Sequence, residues 1–78
     1  MKLNFAFSEL IFSYNKTLEK ITIHDNIHNR TVDVNCRNQK EHHIIMDIQE
    51  RIFYDFSVTS IDRTSFDTIQ QFVRELGK

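Results

Sequence analysis

The chain has 78 residues, of which 40% are hydrophobic and 27% are charged, a composition that argues against disorder and predicts one small folded domain, residues 1–78. Its formal net charge of −1 removes the simplest case for nucleic acids or anionic membranes as partners, since both favour a strongly basic surface. The single cysteine permits no internal disulfide, and every apolar run is too short to span a membrane, so we expect a cytoplasmic protein.

Apolar residues alternate with polar ones through most of the first 60 residues, as they do in strands that bury one face. The alternation is clearest where Val32, Val34 and Cys36 fall on one side of an extended segment. Clusters of Asn and Asp mark turns between most of these segments. The pattern therefore predicts an antiparallel meander of about four to six short strands. The predicted strands cover residues 3–7, 10–14, 17–25, 31–36, 41–49 and 51–60.

The first third of the chain also fits an additional N-terminal helix over residues 3–21, because Leu3, Phe7 and Leu10 begin a stripe at helical spacing. The same region is rich in Phe, Ser, Asn, Thr and Tyr, which are weak helix formers, and residues 15–17 followed by LEKITI resemble a hairpin turn more than a helix interior. Residues 41–56 show a weaker form of this ambiguity. We predict strands in both regions.

The C-terminal segment predicts an amphipathic helix, Ser65–Leu76. Thr64 or Ser65 can cap its amino end, and Gly77 stands where a left-handed carboxyl cap is common. The apolar residues recur three and four positions apart, at Phe66, Ile69, Phe72, Val73 and Leu76.

These elements together predict an α+β fold of two layers. A helix of about three turns is marginally stable alone in water, so we expect its apolar stripe to pack on the sheet. On the period-two assignment, the buried side of the sheet includes Val34, Met46 and Tyr54.

The residues that could bind a metal do not complete a recognisable site. The candidates are His24, His28, Cys36, His42 and His43. On a strand, His42 and His43 would point to opposite faces and could not share one ion. The sole glycine excludes a glycine-rich phosphate loop, and no nucleophile has an evident activating base. We therefore predict no metal, no cofactor, no catalytic residues and no enzymatic activity.

Residues 29–40 combine basic and amide side chains, a mixture that contacts phosphates and base edges in nucleic-acid-binding proteins. Arg30, Arg37 and Lys40 are the cations of this segment. They support an alternative function, a nucleic-acid-binding accessory protein, which the net charge does not favour.

Protein recognition is the leading hypothesis. On the period-two assignment Ile11, Ile45 and Phe53 lie on the solvent face of the sheet, where grouped apolar side chains mark contact surfaces. A homodimer could also form by strand addition at a sheet edge. We therefore expect a non-enzymatic intracellular protein-binding module, such as a small inhibitor or immunity-type protein that occupies a partner's surface, with no membrane as partner.

Overall fold

The computed structural model describes residues 1–77, in which four strands are followed by two helices. The strands are β1 (Lys2–Asn4), β2 (Glu9–Asn15), β3 (Lys20–Asp25) and β4 (Arg30–Asn35). The helices are α1 (Glu41–Asp55) and α2 (Arg63–Leu76). The strands pair antiparallel in the order β1-β2-β3-β4, which confirms the predicted meander and the α+β class.

Two tight connections at predicted turn positions set the register of the central hairpins. Asn15 ends β2, and its side-chain Oδ1 accepts a hydrogen bond of 2.9 Å from the backbone N–H of Leu18. Glu19 then adopts a left-handed conformation with φ 51°, and Asn29 does the same with φ 53° in the next hairpin. Asn tolerates this conformation better than most residues, so its place before β4 suits the turn.

The register places the apolar side chains of adjacent strands side by side on one face of the sheet. Phe12 lies opposite Ile23, which in turn lies opposite Val32. Ile21 and Val34 form the neighbouring pair and are both fully buried. The predicted period-two pattern is therefore correct for this part of the chain.

Both helices cover this apolar face. The ring of Phe72 in α2 contacts that of Phe12 edge to face, with centroids 6.0 Å apart. Ile69 and Val73 are the fully or nearly fully buried residues of α2, which confirms that the C-terminal helix packs on the sheet. The buried residues of α1 are Ile44, Ile45, Ile48 and Ile52.

The strands predicted at 41–49 and 51–60 are wrong, because most of this region is the single helix α1. Ile44, Ile48 and Ile52 lie four residues apart, and this spacing keeps side chains on one side both in a strand and in a helix. Ile45 distinguishes the two, since a strand would turn it away from Ile44, whereas the structure buries both.

This correction changes the predicted core. Val34 is buried as expected, but Met46 and Tyr54 are exposed to solvent because α1 turns them away from the sheet. The alternative of an additional helix over residues 3–21 is not supported, since β1 and β2 occupy most of that region, as the preferred prediction of strands expects.

The boundaries of α2 differ from the prediction at its amino end. The helix begins at Arg63, and Asp62 caps it by accepting a hydrogen bond of 3.2 Å from the backbone N–H of Ser65. Thr64 and Ser65 therefore lie inside the first turn rather than capping it. Gly77 follows the last helical residue, but its φ of −81° is not left-handed.

Candidate functional site

The outward side of α1 exposes large apolar side chains. Met46 is 54% exposed, Phe53 38% and Tyr54 83%. Phe53 and Tyr54 lie seven and eight positions after Met46, so all three occupy one side of the helix over two turns. Glu50 lies between them, four positions from Met46 and four from Tyr54. We call these four residues the α1 surface.

The isoleucines on the opposite side of α1 hold this surface in place. Ile44, Ile48 and Ile52 are buried against the rest of the core, which fixes the rotation of the helix about its axis. At about 100° per residue, Met46, Phe53 and Tyr54 fall on the side of α1 away from these isoleucines, and they face outward. The side chains are thus presented by a packed helix rather than by a loop.

The charges on α1 are mostly negative, with four carboxylates and one arginine. Arg51 lies between two of the carboxylates, 3.9 Å from Asp47 and 3.3 Å from Asp55. Glu41 lies 3.8 Å from Arg74 of α2. Glu50 forms no ion pair with any residue of the described range 1–77.

The three predicted apolar contact residues do not form one surface. Phe53 belongs to the α1 surface and is exposed, as expected. Ile45 was predicted to be exposed and is instead buried in the core, because the segment is helical. Ile11 lies on the outer face of the sheet, half-buried between the cross-strand neighbours Lys2 and His24. Since the helices cover the other face, Ile11 and Phe53 lie on different sides of the molecule.

The outer face of the sheet is polar around Ile11. Asp33 accepts hydrogen bonds from the Lys20 ammonium at 3.1 Å and from the Thr22 hydroxyl at 2.9 Å. Lys2 and Glu9 form a further ion pair at 3.5 Å. These paired groups give this face the character of an ordinary solvated surface.

Arg30 and Arg37, two of the three predicted basic contacts, are engaged within the molecule. Arg37 donates from Nε to the Glu19 carboxylate at 2.8 Å. Arg30 donates from Nη2 to the Asp25 carboxylate at 3.4 Å, and its guanidinium lies 5.6 Å from the centroid of the Phe56 ring. Lys40 occupies the position before α1. The three cations thus do not form one free basic patch.

Asp25 is a buried carboxylate that does not belong to the predicted site residues. Its residue is 0% exposed, and its oxygens accept from the backbone N–H groups of Glu9 and Ile27 at 3.3 and 3.0 Å. His28 Nδ1 lies 2.8 Å away and Arg30 Nη2 lies 3.4 Å away. Asp25 continues the inward parity of the preceding isoleucines in β3, which is the sequence signal for its burial.

The surroundings of Asp25 stabilise its charged form. Burial acts to raise the pKa of the carboxyl group, but the hydrogen bonds from His28, Ile27, Glu9 and Arg30 outweigh it and lower the pKa to about 2. The carboxylate thus ties the start of β2 to the β3–β4 hairpin. Through Arg30 and the Phe56 ring it also reaches the end of α1.

The histidines and Cys36 are dispersed. His24 Nδ1 lies 2.7 Å from the Thr31 hydroxyl. The rings of His42 and His43 lie 4.2 Å apart at the start of α1, so the expected separation onto opposite strand faces is wrong. Cys36 is half-buried, and burial raises the pKa of its thiol. Within residues 1–77 no three His, Cys, Asp or Glu side chains are grouped so that they could hold a metal ion.

A cavity of about 490 Å³ lies between the β1–β2 loop and the connection that joins the helices. Phe5, Phe7 and Val58 contribute apolar surface, and several Ser and Thr residues contribute hydroxyl groups. Asp62 is the one acidic residue among its described lining side chains, and it already caps α2. Hydrogen bonding to Ser65 lowers the pKa of Asp62, so this carboxylate is a poor candidate for a general base.

The comparisons with known proteins identify no relative. No protein-family model matches this chain, no curated protein matches it, and no solved structure matches it. Neither helix in the described part of the chain has the length and apolar character needed to cross a membrane.

Proposed function

We propose that this protein is a non-enzymatic intracellular protein-binding module that works in the cytoplasm by occupying a partner's surface. A small inhibitor or immunity-type protein acts in this way. The proposal rests on one observation, the grouping of exposed Met46, Phe53 and Tyr54 on one side of a well-packed helix.

The composition of this surface suits protein recognition. Aromatic residues and Met are enriched at protein interfaces, where a ring or a flexible thioether fills a pocket on the partner. A helix that presents such residues over two turns can dock in a groove without rearrangement. Because α1 is held by its buried isoleucines, little conformational entropy is lost when the surface binds.

A catalytic role has less support. The cavity beside the β1–β2 loop offers one carboxylate among its described lining residues, Asp62, and this group is engaged in capping α2 and in hydrogen bonding to Ser65. The alternative of nucleic-acid binding through residues 29–40 is weakened by the ion pairs of Arg30 and Arg37. Filter binding with DNA and RNA at low and moderate salt tests it, and salt-sensitive binding would favour it.

A homodimer through a sheet edge remains a second route to association. The edges are β1, which has three residues, and β4, which has six. Short and charged edge strands resist pairing, so β4 is the better candidate. Light scattering after size exclusion tests this proposal, and a monomeric mass at high concentration would exclude it.

The experiment that tests the main proposal is capture of a partner from host extract. The wild-type protein is compared with Phe53→Ser, which removes an exposed ring, and with Leu18→Ser, which removes a side chain 53% exposed in the β2–β3 turn. We expect Phe53→Ser to lose a protein that the other two retain. Retrieval of the same proteins by all three, or of none by any, would reject the α1 surface as the interface.

A further inference from the structure

We infer that the partner presents a basic amphipathic helix to the α1 surface, with a Lys or Arg side chain opposite Glu50. This inference rests on the proposed function and specifies the chemistry of the partner. It is carried by Glu50, whose carboxylate lies among three exposed apolar side chains and forms no ion pair within residues 1–77.

Glu50 restricts what can dock here. A partner that covers Met46, Phe53 and Tyr54 must also remove water from the carboxylate between them. Burying an unpaired charge is strongly unfavourable, so an entirely apolar or an acidic partner would bind poorly. A cation on the partner would compensate for the lost hydration and fix the orientation of the complex.

The adjacent ring favours a cation as well. Tyr54 is largely exposed and lies four positions after Glu50, which places the two side chains next to each other on the helix. A guanidinium group can donate hydrogen bonds to the carboxylate from its edge and stack its face on an aromatic ring. The molecule uses this combination already, where Arg30 contacts both the Asp25 carboxylate and the Phe56 ring.

The charge of the whole helix acts in the same direction. The four carboxylates and single arginine of α1 give it a formal charge of −3, from 1 − 4. A negative helix attracts a basic partner over a range of about 8–10 Å at ordinary ionic strength and repels an acidic one. The α1 surface extends over about two turns, roughly 12 Å. A partner helix with apolar residues at positions i, i+4 and i+7 presents them over a similar length.

The test uses three fluorescein-labelled peptides of 14 residues with identical leucines at helical spacing. Their polar positions are filled with Arg, Gln or Glu, so the peptides share their apolar residues and carry positive, neutral or negative polar side chains. Binding to the full chain is measured by fluorescence anisotropy at 50 and 200 mM salt. We expect the Arg peptide to bind at least about tenfold more tightly than the Glu peptide at 50 mM salt. The ratio of their dissociation constants should be smaller at 200 mM salt, because salt screens the charges.

Four variants assign the binding to the α1 surface. Glu50→Gln should weaken the Arg peptide several-fold, and Glu50→Lys should reverse the order of the Arg and Glu peptides. Glu75→Lys makes the same charge change on the exposed side of α2 and should leave the order unchanged. The double variant Met46→Ser, Phe53→Ser should abolish binding of every peptide. Circular dichroism of each variant verifies that it is folded.

The outcomes separate this inference from the proposal beneath it. If the peptides bind equally well and both Glu50 variants bind like wild type, the inference is wrong. In that case loss of binding in the double variant still supports the α1 surface as an interface. If no peptide binds, or if the double variant binds like wild type, the inference fails and so does the assignment of the interface to α1.

Discussion

Replacing Asp25 by Asn tests whether the buried carboxylate holds the sheet together. The two side chains have nearly the same shape, but the amide is uncharged and presents N–H groups where the carboxylate accepted hydrogen bonds. The amide oxygen can still accept on one side, so one pair of donors loses its acceptor: either the backbone N–H groups of Glu9 and Ile27 at Oδ1, or the side chains of His28 and Arg30 at Oδ2. We therefore expect Asp25→Asn to fold but to be less stable.

The magnitude follows from the pKa of the carboxyl group. Burial raises this pKa and four hydrogen bonds lower it, so that it falls from 3.8 to about 2 on folding. A difference of this size corresponds to about 2 kcal/mol of stability at neutral pH. Because the pKa is lowered in the folded state, this contribution is complete above about pH 4. It disappears as the pH falls through the folded pKa near 2.

Urea unfolding of wild type and Asp25→Asn, followed by circular dichroism in steps from pH 7 to pH 2, measures this contribution. At pH 7 the variant should be about 2 kcal/mol less stable, and the difference should shrink to under about 0.5 kcal/mol near pH 2. Asp33→Asn is the matched control, since Asp33 is an exposed carboxylate on the neighbouring strand and should cost less than about 1 kcal/mol. A variant as stable as wild type at pH 7, or a difference that does not change with pH, would refute this account of Asp25.

Three further predictions concern the packing of α1, the cap of α2 and the burial of Cys36. Ile48→Ala removes a fully buried side chain and should lower the free energy of unfolding, measured in urea, by about 2–5 kcal/mol. Met46→Ala, on the exposed side of α1, should lower it by less than about 1 kcal/mol. Equal losses would contradict the assigned rotation of α1. Asp62→Ala removes the cap of α2 and should cost about 1 kcal/mol, while Asp67→Ala inside the helix should cost less than half of that; the reverse order would place the cap elsewhere. Cys36 should react with iodoacetamide at pH 8 at least about fivefold faster in urea than in the folded protein, because burial raises the pKa of the thiol. Equal reaction rates would show that the thiol is accessible in the folded protein.

The sheet was predictable because one face of each strand is buried and the other is solvated. In β3 the side chains of Ile21 and Ile23 point inward while Thr22 and His24 point outward, so the sequence carries the period of the structure. The turns were predictable for a different reason, since the absence of proline leaves Asn and Asp as the main turn formers. Both signals are local, and they are sufficient for a meander because each strand pairs with the next one along the chain.

Helix α1 was not predictable from its apolar residues, because a four-residue spacing satisfies two periods at once. Ile44, Ile48 and Ile52 would be buried on a strand or on a helix. The charged residues between them, including Glu50 and Arg51, are better helix formers than strand formers, and this preference was the informative signal.

The candidate site shows the same limit. Phe53 was predicted to be exposed and is exposed, although the prediction assumed a strand. Ile45 was assigned to the same surface but lies in the core. Assuming a period of two where the helix has a period of about 3.6 places some residues on the wrong face and leaves others on the correct one. The strand pattern predicts Tyr54 and Met46 on the buried side, but they are the most exposed apolar members of the α1 surface. A correct surface therefore required the helical rotation of α1, which depends on tertiary packing.

The order of the elements along the chain has a consequence for synthesis. The first 36 residues contain the whole sheet, and everything that covers its apolar face comes from residues 41–76. At about 5–20 residues per second, a ribosome needs roughly two to seven seconds to synthesise the helices. During this time the apolar face of the sheet is exposed. A chain that ends near residue 40 would lack both helices, and the apolar face of its sheet would stay exposed to solvent. Cleavage in the short segment before α1 should therefore yield insoluble fragments rather than a smaller functional protein.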